Sequence, residues 1–318
     1  MRRAPAIGRH RRGGLVRPAW LLISVILALG GLSSAAGAAT FTILPGTAIQ
    51  PVINAAANGD VIILAPGNHF QRINFAGKSL TIRSTNPESD GTVANTILHG
   101  AGGAGPMVTF ENGENDKAIL YGLTIRNGTG KVDGGLVSGG GLFIRNSSPT
   151  IWRCVITSNT ATVGAGVYIN GGAPLLERNF IHHNTASQSG GGLRIVGNSA
   201  ADIRTNLITG NRSNTQSGAG IDVLNCLANA PTIRHNVIVG NYAATKGSGV
   251  SCSSASPDVF DNIVAFNRSS AAGSGGFYSE GAGVPYWCFN DSWTNVPTNY
   301  GMGVALCPAG SIALNPIF

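Results

Sequence analysis

The feature that most narrows the folds open to this chain is an internal repeat. A glycine-rich lead-in to alternating apolar residues occurs as Gly139-Gly-Gly-Leu-Phe-Ile, Gly164-Ala-Gly-Val-Tyr-Ile, Gly190-Gly-Gly-Leu-Arg-Ile, Gly218-Ala-Gly-Ile-Asp-Val and Gly247-Ser-Gly-Val-Ser-Cys. A looser sixth copy is Gly275-Gly-Phe-Tyr-Ser. The glycine just before the apolar residue is Gly141, Gly166, Gly192, Gly220, Gly249 and Gly276, at spacings of 25, 26, 28, 29 and 27 residues. Between the copies lies a second signature, Asn-x-aliphatic-x-x-Asn, running from Asn179 to Asn184, Asn206 to Asn211, Asn236 to Asn241 and Asn262 to Asn267. Cys154 to Asn159 is the same unit with Cys in the first Asn position, and Ile125 extends the aliphatic series backwards.

A unit of about 27 residues with two short period-2 apolar runs cannot bury a core by itself; stacked units can, as coils around one apolar column. Parallel neighbours about 4.8 Å apart bring equivalent residues into ladders. The inward columns are then Leu142/Ile144, Val167/Ile169, Leu193/Ile195, Ile221/Val223 and Val250/Cys252. The repeated Asn suits a turn with left-handed backbone geometry and can bond to the Asn of the next coil. No helical period follows residue 58, which predicts almost no α-helix beyond the N-terminal segment. The 46 glycines have no three-residue period, and 11% charged against 43% hydrophobic residues excludes a disordered chain.

On these motifs, residues 40–318 resemble the bacterial secreted right-handed β-helix repeat proteins, a superfamily that includes pectate lyases. The resemblance extends to Ile49-Gln-Pro-Val-Ile-Asn-Ala-Ala-Ala, Gly59-Asp-Val-Ile-Ile-Leu-Ala-Pro-Gly67 and Gly77-Lys-Ser-Leu-Thr-Ile-Arg-Ser. It implies an all-β, single-stranded right-handed parallel β-helix (a solenoid), clearest over 139–276, with a short capping helix at 49–57. That helix's apolar face would close the open bottom of the column. At the other end, Asn315-Pro-Ile-Phe318 resembles a segment usually followed by a further coil; either Phe318 closes the top or the chain is cut short there.

Residues 1–38 read as an export signal, leaving 39–318 as the β-helix domain. Six arginines (2, 3, 9, 11, 12 and 17) precede an apolar run at 19–32 and the small-residue site Ala36-Gly37-Ala38. A membrane anchor is the competing reading, but the run is short for a spanning helix. Arg11-Arg12 leaves the general and the twin-arginine export routes both open. Removing the segment takes six of the 21 Lys+Arg and none of the 14 Asp+Glu, so the remainder is 15 against 14. That balance gives no basic face for nucleic acid. The expected location is secreted or cell-surface, with no membrane span after signal removal.

Five cysteines in an exported chain make disulfides reasonable and leave at least one thiol over. Cys288 and Cys307, where the repeat lapses, are the expected pair; Cys226 with Cys252 is the weaker alternative, and Cys154 is expected as a buried free thiol. No metal-ligand spacing occurs, and no cofactor is expected. His182 and His183 should point to opposite faces and so not share a metal.

The outward column beside the inward one reads Phe143, Tyr168, Arg194, Asp222, Ser251 and Tyr278. Tyr168, Arg194 and Asp222 combine an aromatic ring with a cation and an anion, which suits a sugar-binding surface; the plainer reading is a surface ion pair beside a packing Tyr. Since they face away from the core, replacing all three should spare the fold. Arg153, Arg178, Arg204 and Arg234 form a second candidate, a basic stripe for an acidic polysaccharide, or else a solvated face partnered by Glu177 and Asp261. Lyases of the resembling group use an Arg base and an acid cluster for Ca²⁺; only Asp222 lies in the outward column, so that set is incomplete. Asp202, Asp258, Asp261 and Glu177 do not converge as a glycoside hydrolase requires. The expected function is therefore binding of a glycan or partner along the flank, with no assigned catalytic residue. The alternatives are a polysaccharide lyase or hydrolase, and a passive structural or adhesive module. Finally, Val155, Phe180, Leu207, Val237 and Ile263 adjoin the aliphatic series from Ile156 to Val264. With the latter inward, the former is an apolar outer stripe, covered by a loop such as 269–273 or by a second copy, unless the turn tucks both columns inside.

Overall fold

A computed structural model describes residues 37–101, 103–270, 273–301 and 304. The expected signal at 1–38 lies almost wholly, and the C-terminal segment at 315–318 wholly, outside the described residues. The chain winds as a right-handed parallel β-helix. One coil shows the plan. Among the described residues, Thr150–Trp152 belongs to a ten-stranded first sheet, Val155–Thr157 to a nine-stranded second, Thr160–Val163 to a seven-stranded third and Val167–Asn170 to an eight-stranded fourth. The next coil repeats this order, in register: Val167 pairs with Leu193, and Ile156 with Ile181.

Packing follows the period-2 pattern. Leu142, Val167, Leu193, Ile221 and Val250 of the fourth sheet are fully buried, as are Ile156, Ile181, Ile208, Ile238 and Val264 of the second. The aliphatic series thus faces inward as expected. Helix α1, Gln50–Ala55, sits within the expected 49–57 segment and places Ile49 and Ile53 in the core. A second short helix, α2 (Asp90–Asn95), was not legible as a period because six residues make under two turns. Its signal was local: the Ser89 hydroxyl accepts from the Thr92 backbone N–H at 3.4 Å, an N-cap.

The corner turns correct one expectation. Left-handed geometry falls on the residue before each ladder position, at Arg153 (before Cys154), Arg178, Thr205, His235 and Asp261 (φ 48 to 57°), and not on the Asn. That residue turns the chain, and the Asn side chain swings inside. Asn179 Nδ2 donates to the Ile151 carbonyl at 2.9 Å and to Asn206 Oδ1 at 3.0 Å, and the motif continues through Asn236, Asn262 and Asn290. A parallel ladder climbs from Asn159 to Asn295. These amides satisfy buried backbone groups at both corners, which apolar residues could not do.

Glycine has a specific role where the chain enters the fourth sheet. A Cβ at Gly166 would stand 2.5 Å from the Gly192 carbonyl oxygen and 3.0 Å from Asn184 Nδ2. The ladder and the glycine column therefore need each other. Cys154, Cys226 and Cys252 are free and buried; Cys288 is disulfide-bonded, and its expected partner Cys307 lies outside the described residues.

Candidate functional site

The outward column of the fourth sheet lies at the bottom of a cleft. After the third-sheet strand the chain turns at a left-handed glycine, such as Gly164 at φ 59° or Gly190 at φ 68°, and returns beside the residue that points outward. A Cβ at Gly190 would stand 2.7 Å from the Cβ of Arg194. Phe143 and Tyr168 consequently pack against Val163 of the third sheet in a small apolar cluster of their own. Tyr168 is 6% exposed, Arg194 9% and Asp222 4%. The three face away from the main core yet are buried, where the alternation suggested exposed positions.

Of the three, Arg194 and Asp222 are brought together. The guanidinium donates to Asp222 Oδ2 at 2.7 Å and to the Ser189 hydroxyl. Burial raises the Asp222 carboxyl above its ordinary value, with Arg194 and the Ser189 hydrogen bond opposing it. Tyr168 goes elsewhere: its hydroxyl donates to Asp133 Oδ2 at 3.1 Å, and burial followed by that carboxylate pushes its pKa up to about 12.

Asp133 comes from a feature the repeat does not predict. Lys131–Asp133 and Leu136–Ser138 pair antiparallel, joined by Gly134 and Gly135, both at positive φ. Two such residues between short strands make the tight hairpin turn that suits twisted strands. The hairpin opens the third sheet and delivers two charges to the lower cleft. Lys131 pairs with Glu111 at 2.7 Å, and Arg145 reaches Asp133 at 3.3 Å and Glu111 at 3.5 Å. Asn170 Nδ2 also donates to Asp133, at 2.9 Å. Lys131 lies over the Phe143 ring, 5.0 Å from its centroid.

At the upper end, Lys246 lies 4.2 Å from the Tyr278 ring centroid and pairs with Glu280 at 2.5 Å. The Tyr278 hydroxyl donates to Glu280 at 3.0 Å. The hydrogen bond from Lys246 is the largest influence lowering the Glu280 pKa. Burial pulls the Lys246 pKa down, but its bonds to Glu280 and Tyr278 outweigh that and leave it raised. Between Arg194 and Glu280 opens a cavity of about 340 Å³, also lined by Gln216, Ser217, Thr245 and Ser253. From Thr109 to Tyr278 the column spans seven strands, a length of about 29 Å at the parallel spacing.

The basic stripe does not stand as a free cationic surface. Arg204 pairs with Glu177 at 3.0 Å and Asp202 at 3.2 Å, and Arg234 pairs with Asp202 at 2.9 Å. Arg153 is held by Glu88 at 2.5 Å and Asp90 at 3.1 Å, and Arg178 lies 3.9 Å from Glu177. Asp261, named beforehand as a partner of the stripe, pairs instead with His235 at 3.4 Å. The two His rings also depart from expectation. Left-handed geometry at His183 (φ 52°) turns both outward, and their Nδ1 atoms meet at 2.6 Å. Among the described residues, no three His, Cys, Asp or Glu side chains gather as metal ligands do.

The apolar outer stripe is real but partly sheltered. Leu207 is exposed, and Val155, Phe180, Val237 and Ile263 are half-buried. At its lower end α2 supplies Val93 and Ala94 to a groove of about 570 Å³ with Val155, Phe180 and Leu207. Residues 271–272 of the loop named as a cover lie outside the described residues.

The family model described as "Right handed beta helix region" matches residues 52–208. No curated protein matches the chain. Among solved structures, pectate lyase Pel9A is 13% identical, covering 87% of this chain and 79% of that chain, at a TM-score of 0.35. A mannuronic acid specific polysaccharide family 6 lyase enzyme from human gut microbiota is 14% identical, covering 85% and 82%, at 0.30. Likenesses this distant leave the chemistry of the chain to its own residues. Among the described residues, no helix is long and apolar enough to cross a membrane.

Proposed function

We propose that this right-handed parallel β-helix is an exported glycan-binding protein whose ligand lies along the cleft of the fourth sheet. The observation that carries the reading is the floor of that cleft, where Arg194 and Asp222 form a fixed ion pair beneath a cavity rimmed by hydroxyl and amide groups. Fixed, paired donors and acceptors recognise hydroxyl groups without the cost of ordering loose side chains on binding. Arg194 and Asp222 sit on strands, which hold their geometry better than loops do. The test is retention of the protein on a panel of immobilised polysaccharides, with an Arg194→Met/Asp222→Leu variant as control. Retention of the parent but not of the folded variant supports the cleft; equal retention of both removes it.

A second reading, glycoside hydrolysis, is favoured by Asp222 and Glu280 lining the same cavity with pKa values pushed in opposite directions. Carboxyls separated in this way suit an acid and a base. New reducing ends after long incubation would support it; a lyase would instead release an unsaturated uronate that absorbs in the ultraviolet.

A further inference from the structure

We infer that the glycan held in this cleft is uncharged. The inference rests on the glycan reading and narrows it to a substrate class. Among the described residues, the four cations placed along the cleft above each have a carboxylate at bonding distance. Lys131 has Glu111 at 2.7 Å, Arg145 has Asp133 at 3.3 Å, Arg194 has Asp222 at 2.7 Å and Lys246 has Glu280 at 2.5 Å. These four positive and four negative groups balance along the cleft.

An acidic sugar binds through a cation that its carboxylate can reach, and here each cation is already engaged by the protein. Arg194 commits Nη1 to Asp222 and Ser189, so a uronate could approach only the remaining N–H groups of the guanidinium, beside an Asp222 that is 4% exposed. It would then lie against that carboxylate, and like charges in a partly dry cavity repel strongly. A hydroxyl has no such conflict, because it both donates and accepts. Neighbouring hydroxyls on one sugar can donate to the carboxylate of a pair and accept from its cation, leaving the pair intact. Of the remaining lining, Ser189, Gln216, Ser217, Thr245 and Ser253 carry donors and acceptors but no charge, and Leu224 is apolar.

The test measures binding of the full chain to two sets of soluble polysaccharides at low and high salt. The uncharged set is a β-glucan, a xylan and a mannan; the acidic set is polygalacturonate and alginate. The expected result is that an uncharged polymer binds tightest, with affinity changing by less than about twofold with salt, since no net charge is neutralised on binding. Glu280→Gln, at a partly exposed position, frees Lys246 and should raise affinity for polygalacturonate about tenfold, in a salt-sensitive manner. Tightest binding of the parent chain to an acidic polymer, with steep salt dependence, would overturn the inference while leaving the glycan reading in place. A folded Glu280→Gln variant that gains nothing for polygalacturonate also overturns it. Binding to neither set overturns the glycan reading itself.

Discussion

Arg194 and Asp222 occupy equivalent positions on successive coils, and the guanidinium of one meets the carboxylate of the other at 2.7 Å, with side chains only 11% and 6% exposed. Two charges on the outer face of a β-sheet have thus become a buried pair. Removing one partner from such a pair strands the other, at a cost of about 3–5 kcal/mol, whereas replacing both with apolar residues is close to neutral. Arg194→Ala should therefore be strongly destabilising, and Arg194→Met/Asp222→Leu should recover most of the loss. Urea unfolding of the parent, Arg194→Ala, Asp222→Leu and Arg194→Met/Asp222→Leu decides this; a double variant that loses as much as the two single changes together would show that the pair is not coupled.

The second prediction concerns the Asn ladder. Asn211 Oδ1 accepts from the backbone N–H and the amide of Asn184, and Asn211 Nδ2 donates to the Ile181 carbonyl and to Asn241. Asn211→Ala leaves several buried groups unpaired at about 1–3 kcal/mol each. The melting temperature should fall sharply, more than for Thr205→Ala at an exposed corner. A comparable drop at both sites would mean that the ladder contributes little.

The third prediction is chemical. Cys154, Cys226 and Cys252 are buried, and burial pushes the Cys154 thiol up to about 12. A thiol reagent at neutral pH should label none of the three in the native protein and all three in denaturant, because the thiolate is the reactive form. Rapid labelling of the native chain at any of them would contradict this burial.

The fourth concerns acid. Glu280 is lowered from its ordinary 4.5, so its contribution to stability is complete above 4.5 and is lost as pH falls through its folded value. His182 is lowered from 6.5 to about 4, chiefly by burial and then by His183. Its neutral form is favoured by folding, so stability is lost as pH falls from 6.5 toward 4. His182→Gln should flatten the stability curve in that upper window, and Glu280→Gln should flatten it only below 4.5. Chemical denaturation across pH 3–8, a range set by these two windows, separates the two effects.

The fifth returns to the apolar flank, which we propose as a self-contact surface. Phe180 and Leu207 remain partly in water, so the double change to Ser should lower stability by no more than about 2 kcal/mol. Sedimentation should find the parent chain associating and the variant monomeric. A monomeric parent, or a variant that unfolds, removes the flank as a contact surface.

The sequence by itself determined the coil. The glycine lead-ins, the alternation at Leu142/Ile144 and its counterparts, and the spacing of the asparagines are local or recur from coil to coil, so stacking them in register leaves one arrangement that buries the apolar set. The helix cap at α1 and the inward course of the Ile156-to-Val264 series were legible for the same reason. The Gly134-Gly135 hairpin and the Ser89 cap carried local signals too, but these fall outside the repeat. Tertiary structure alone decided the site. Alternation says which way Tyr168, Arg194 and Asp222 point, but not what lies above them. Their burial depends on the third-sheet strand turning at glycine and coming back over the column. Likewise, Asp133 meets Tyr168, and Glu280 shares a cavity with Asp222, only because distant residues are carried to one flank by the winding of the coils. Pairing of charges depends on distances between side chains on different coils and corners, and those distances are fixed by the stacked fold.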